Sequence, residues 1–130
     1  MAQLNQRELD VLNILWSSDE PMTAIDIVNK GHGLTQSTVT AVLRKLLNAG
    51  TVEVQGVTHS GKVLSRTYRP TESSKDIILD NFTEGYANFN EVVSESTVCA
   101  AIFKRTKNKK RAKQEINNLR AMLDEFEKNL

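Results

Sequence analysis

The chain has 130 residues, with 17 Lys or Arg against 16 Asp or Glu, for a formal net charge of +1. That length suits one ordinary domain or two small ones sharing a core, and an apolar share of 39% with 5% aromatics makes that core thin and mostly aliphatic. No apolar run approaches the ~20 residues of a membrane span. Met1 to Gln6 has neither the basic nor the apolar stretch of a signal peptide, and a lone Cys99 excludes an internal disulfide or a thiolate metal cluster. A cytoplasmic protein is expected.

The charge is uneven. Residues 1–32 carry two basic and five acidic side chains, whereas 33–69 carry Arg44, Lys45, Lys62, Arg66 and Arg69 against Glu53 alone. Seven of the ten residues from 104 to 113 are basic. Opposite local signs cancel in the total, so a near-neutral chain can still present a basic face.

Asn5 and Glu8 have the spacing of a helix-capping pair, and Leu9, Val11, Leu12, Leu15 and Trp16 form one apolar face of a helix over about 5–18. Thr23 and Asp26 open a second, short helix with Ile25, Ile27 and Val28 on its apolar side and Gly31 just beyond. A third runs from Thr35 to Gly50 with Val39, Leu43, Leu46 and Leu47 inward. The period then changes to two through Val52 and Val54. A hairpin tip is expected at Thr58–Gly61, with a return strand from Lys62 to Arg69 that Pro70 stops. Three short helices followed by a hairpin make a winged helix-turn-helix. Beyond Thr71 the chain reads as helical again. Ile78, Phe82, Tyr86 and Phe89 form one stripe, and a shorter segment carries Val92, Val98, Cys99, Ile102 and Phe103. A last helix from about 111 has a heptad-like seam at Ile116, Leu119, Leu123, Phe126 and Leu130. Two heptads are too short to stand alone, so the seam needs the preceding helices or a second chain.

The third helix is the main functional expectation. A recognition helix buries one side and offers short polar or basic side chains near its N-terminus to base edges in the major groove. Gln36, Ser37 and Thr40 can exchange hydrogen bonds, Ala41 can pack on a thymine methyl, Arg44 can reach guanine or phosphate, and Lys45 suits phosphate. The competing reading is an ordinary solvated helix face; position between two short helices and a hairpin favours DNA. Lys62 and Arg66 near the hairpin tip fit phosphates or the solvation of an edge strand, and Arg69 fits the latter. The run from Lys104 to Lys113 reads as a solvated loop, as further phosphate contacts, or as a site for an acidic partner. His32 and His59 are far apart and lack a ligand-spaced companion, so no metal or cofactor is expected. Ser60 beside His59 lacks a nucleophile elbow, and no enzyme is expected. Cys99 and Trp16 read as core residues.

Glu8-Leu9-Asp10-Val11 with Trp16, Ser37-Thr38-Val39 with Leu43 and Leu46, and Tyr68-Arg69-Pro70 resemble, in register, the opening, recognition helix and wing closure of the penicillinase-repressor (BlaI/MecI/CopY) regulators. The resemblance covers 4–72 well and the remainder more loosely. It implies a homodimeric repressor on a dyad-symmetric double-stranded DNA operator, adds Thr38 to the candidate DNA-contacting set, and gives the C-terminal helices a dimerising role. The β-lactam branch implies a sensor protease as an inactivating partner, although its scissile bond has only a loose counterpart near Ile102-Phe103. The cysteine cluster of the copper-responsive branch is missing. The sequence is therefore read as mainly α, with a winged-helix DNA-binding domain at 1–71 and a helical dimerisation region at 72–130. Phe82, Tyr86, Ile102, Phe103, Ile116, Leu119, Leu123 and Phe126 are the candidate dimer contacts. Two rivals are a ligand-sensing regulator of the multiple-antibiotic-resistance type and a winged-helix protein-interaction module. The former is expected to carry a dimerisation helix ahead of the winged helix, where this sequence leaves no room.

Overall fold

The computed structural model describes residues 4–130. The first three residues, part of the stretch read above for a signal peptide, and the side chain of Ser60 lie outside that description. The element order is α1 (Gln6–Ser17), α2 (Ala24–Lys30), α3 (Gln36–Ala49), β1 (Val52–Ser60), β2 (Val63–Pro70), α4 (Ser74–Ala87), α5 (Glu95–Arg105) and α6 (Lys109–Lys128). This is a winged helix-turn-helix followed by C-terminal helices. No helix among the described residues is long and apolar enough to cross a membrane.

Local chemistry sets the helix boundaries. Asn5 accepts from the Glu8 amide at 2.9 Å while the Glu8 carboxylate accepts from the Asn5 amide at 3.0 Å, closing a reciprocal cap on α1. Thr23 and Asp26 do the same for α2. Gly50 ends α3 in the left-handed region (φ 77°), which costs a residue without Cβ nothing. The amide of Gly50 donates back to carbonyls of the last turn of α3.

The first strand is longer than the sequence suggested, and the return strand keeps its expected length but lies one residue later. β1 runs to Ser60, the turn is Gly61–Lys62 with Gly61 at φ 67°, and β2 begins at Val63. The expected tip residues Thr58 and His59 instead pair with Ser65 and Leu64 in the antiparallel ladder, which shifts register between Val54 and Gly56. A single bridge joins Met22 to Tyr68, each amide donating to the other's carbonyl at 3.0 and 2.8 Å. That bridge fixes the segment between α1 and α2 to the return strand.

The chain divides into two compact units, one ending at Gly85 and the other spanning Tyr86–Leu130. The first encloses a core from α1 (Val11, Leu12, Leu15), α2 (Ile27), α3 (Val39, Val42, Leu43, Leu46) and Val52 of β1, with Met22 and Leu34 closing its edges. Each leucine removed from water here is worth roughly 1.5–3 kcal/mol before entropy is counted. Ile78 packs on this core, and the buried Ser74 donates to the Thr71 carbonyl at 2.6 Å, so the first turns of α4 belong to this unit. The sequence placed the domain division earlier, at 71/72. Trp16 is half-buried, not part of the enclosed core: its indole N–H donates to Ser74 Oγ at 2.9 Å and Lys75 lies over its ring. Indole amphipathicity explains the position, since the N–H requires a partner.

In the second unit, Ser94 caps α5 by accepting from the Thr97 amide, and Asn108 caps α6 by accepting from that of Arg111. The second helix therefore starts at Lys109. Four cations of the basic run occupy its first turns, so the expectation of a solvated loop holds only for Thr106–Asn108. Neither α5 nor α6 contains a buried residue.

Candidate nucleic-acid interface

Helix α3 is held by its apolar side. Val39, Val42, Leu43 and Leu46 are buried, which fixes the rotation of the helix about its axis and turns Gln36, Ser37, Thr40, Ala41 and Arg44 to solvent. These five residues together line one shallow depression of about 540 Å³. The sequence stripe contained Leu47, which is half-buried, and omitted Val42, which is buried.

The N-terminus of α3 is rigidified by its own hydroxyls. Thr35 Oγ1 accepts from the Thr38 amide at 3.2 Å and donates to Thr38 Oγ1 at 2.9 Å, with Ser37 Oγ at 3.3 Å. Thr38 is thereby half-buried and engaged in the cap, separate from the five residues of the depression. Its role as a cap partner has a sequence signal in the Thr35-x-x-Thr38 spacing, which the reading of Thr38 as a DNA contact did not use. Uncapped amides at a helix start are natural phosphate ligands, and the dipole adds to them. No acidic residue lies in the first turn of α3 to oppose an anion there.

Lys45 is on the same helix but faces elsewhere. Its Nζ stands 3.5 Å from the carboxylate of Glu8, whose side chain is only 3% exposed. A buried carboxylate without compensation is costly, and the Asn5 amide and Lys45 supply that compensation here. The exposed Lys45 side chain thus ties α3 to α1.

On the wing, Lys62 lies in the turn itself and Arg66 is paired opposite Val57, both exposed. Arg69 is bound to Glu53 across the strands, which fits its reading as an edge-strand residue. Val57, Val63 and Leu64 are also exposed, a set of apolar wing residues that alternation alone did not single out. Among the described residues no group of three potential metal ligands occurs.

The candidate dimer residues are all incompletely buried in the single chain. Phe82, Ile102, Leu123 and Phe126 are exposed, while Tyr86, Phe103, Ile116 and Leu119 are half-buried. Tyr86 is committed within its own unit, its hydroxyl donating to the Val93 carbonyl at 2.6 Å with the Glu95 carboxylate at 3.2 Å. Desolvation, followed by the hydrogen bond to the Glu95 carboxylate and its charge, raises the pKa of the phenol above its ordinary value.

Known structures share this fold. A point mutant of MepR from S. aureus superposes with a TM-score of 0.52 at 18% identity, over 95% of this chain and 80% of that one. A second MepR mutant, bound to an oligodeoxyribonucleotide, gives 0.51 at 16% identity over the same shares. PadR of Bacillus subtilis in complex with operator DNA matches 58% of this chain at 20% identity and a TM-score of 0.48, and the match spans 46% of its own length. No significant match was found among curated protein sequences. The profile of the family described as penicillinase repressor matches residues 4–125, nearly the whole chain. With three helices, a two-stranded wing and C-terminal helices in that order, the chain belongs to the penicillinase repressor family, non-enzymatic winged-helix regulators of transcription.

Proposed function

We propose that this protein represses transcription in the cytoplasm as a homodimer that occludes a dyad-symmetric operator. One observation carries the reading: the exposed residues Gln36, Ser37, Thr40, Ala41 and Arg44 of α3 share one shallow, open surface while the other side of that helix is locked into the core. Gln36, Ser37, Thr40 and Ala41 are short enough to approach base edges, and Arg44 is long enough for a guanine or a phosphate. Lys62 and Arg66 of the wing add phosphate contacts, and Lys45 supports α3 through Glu8.

A twofold dimer puts two such helices in successive major grooves, ~34 Å apart. Joining two weak half-site contacts raises affinity through effective concentration, so separation of the subunits releases the DNA without a ligand pocket. The exposed apolar residues of α5 and α6 support dimerisation through the second unit. A sensor protease acting on the C-terminal half is one inactivating partner that this design accommodates.

Selection from a random duplex pool tests the reading. The expected outcome is a palindromic consensus whose affinity falls by ~10³–10⁵ between 50 and 200 mM salt, as for contact with ~6–10 phosphates. A flat salt response, or no retained duplex, refutes it.

A further inference from the structure

Helix α6 carries its charge in reverse. Lys109, Lys110, Arg111 and Lys113 occupy its first turns, and Asp124, Glu125 and Glu127 outnumber the one cation, Lys128, in its last ones. The partial charge of the helix ends is positive at the N-terminus and negative at the C-terminus, so both clusters oppose it. No ion pair within the chain relieves either cluster among the described residues. The same helix bears the incompletely buried seam, with Leu123 and Phe126 at 55% and 63% exposure.

A surface that is basic at one end, acidic at the other and apolar along its length complements itself only head to tail. We infer that α6 pairs antiparallel with α6 of a second copy of this chain, so that each basic N-terminal end lies against the partner's acidic C-terminal end. This inference rests on the homodimer reading and adds the orientation and register of its helices.

The register follows from spacing. Extended back to Ala112, the seam reads Ala112, Ile116, Leu119, Leu123, Phe126 and Leu130. An antiparallel pair centred near residue 121 sets Ile116 against the partner's Phe126, Leu119 against the partner's Leu123, and Ala112 against the partner's Leu130. The two layers inside α6 are then filled by large side chains from both copies, and Leu130, just past the C-cap Asn129, falls opposite the smallest residue. Beside the seam, Lys113 comes opposite the partner's Glu127, twice by symmetry. Arg120 falls on the dyad and meets its own counterpart, with Asp124 one turn along the same helix to share its charge. A parallel pair instead stacks four cations on four and three carboxylates on three, in addition to aligning the dipoles.

Cysteine scanning of the full-length chain in a Cys99→Ser background tests the orientation. Arg120→Cys should give a disulfide-linked dimer on mild oxidation. Leu130→Cys should not, because the two copies of that position lie ~27 Å apart at 1.5 Å per residue. Charge exchange gives a second readout: Lys113→Glu or Glu127→Lys should each weaken self-association roughly tenfold, and the double variant should recover it. Cross-linking at Leu130 but not at Arg120, or a dimer by sedimentation that cross-links at neither, overturns the orientation and leaves the homodimer standing. A monomer at all concentrations overturns both.

Discussion

The two units of this chain satisfy their apolar side chains in opposite ways. In the first, three helices and a strand enclose Leu12, Ile27, Val39 and Leu46 so completely that none retains accessible surface. In the second, helices of 11 and 20 residues carry apolar stripes and bury nothing completely. The difference lies in connectivity more than in hydrophobicity. The first unit has a third helix, a wing and the Met22–Tyr68 bridge to close its core from several sides. Two helices alone offer each other one face apiece. A helix pair of this kind becomes stable by acquiring further helices, and the homodimer proposed above would supply them from a second copy.

The contrast predicts where one substitution is felt most. Phe126→Asp places a carboxylate in the proposed seam, opposite the partner's Ile116, so sedimentation should give monomers, and operator affinity should fall by ~10²-fold or more as the avidity of two half-sites is lost. The melting of the first unit should not move. Dimers that survive this variant break the comparison. Leu46→Ala does the converse: it opens a cavity at a fully buried position and should cost about 2–5 kcal/mol in denaturant unfolding. That loss should be independent of protein concentration, whereas any loss from Phe126→Asp should shrink on dilution, as the unsubstituted chain also dissociates.

How much was legible in the sequence follows the same division. The helices of the first unit were readable to within a residue or two because their ends are encoded locally, by Asn5 with Glu8, Thr23 with Asp26, Thr35, and Gly50. What escaped was long-range. Nothing near Met22 indicates that its amide bonds to Tyr68, and the turn at Gly61–Lys62 was read too early because Thr58 and His59 look like loop residues. Val42 was assigned no side because a spacing of four and three marks a narrow stripe, whereas α3 packs against several elements and buries a wider one. Of the candidate interface, residues such as Thr40 and Arg44 were predictable from helical phase alone. The engagement of Thr38 with Thr35 is encoded in local cap spacing and not in phase, and that of Lys45 with Glu8 depends on a partner 37 residues away that neither reveals.

Within the first unit, Arg44→Ala sharpens the distinction between holding α3 and reading DNA through it. Arg44 is exposed and lines the depression. Its loss should leave stability within about 0.5 kcal/mol while costing ~1–3 kcal/mol of specific binding, measured as the ratio of operator to random-duplex affinity. Equal losses on both duplexes would reduce Arg44 to a phosphate contact.

The smallest expected effect is the most direct comparison of the two units, because the same chemical change is made in each. Thr35 and Asn108 both cap a helix by accepting one backbone amide, of Thr38 and Arg111 respectively. Replacing either with Ala removes that acceptor, at a cost of about 1 kcal/mol. For Thr35→Ala the cost falls on a helix already fixed by four buried side chains, so it should appear as lower stability at every protein concentration, with helix content unchanged. For Asn108→Ala the cost falls on a helix with nothing buried in the single chain and with four cations crowding its first turns. Circular dichroism across a dilution series should therefore find the helix content of Asn108→Ala falling as the chain dissociates, and to a greater extent than in the unsubstituted protein. If both variants respond to dilution alike, α6 is held by its own chain and the contrast between the two units disappears.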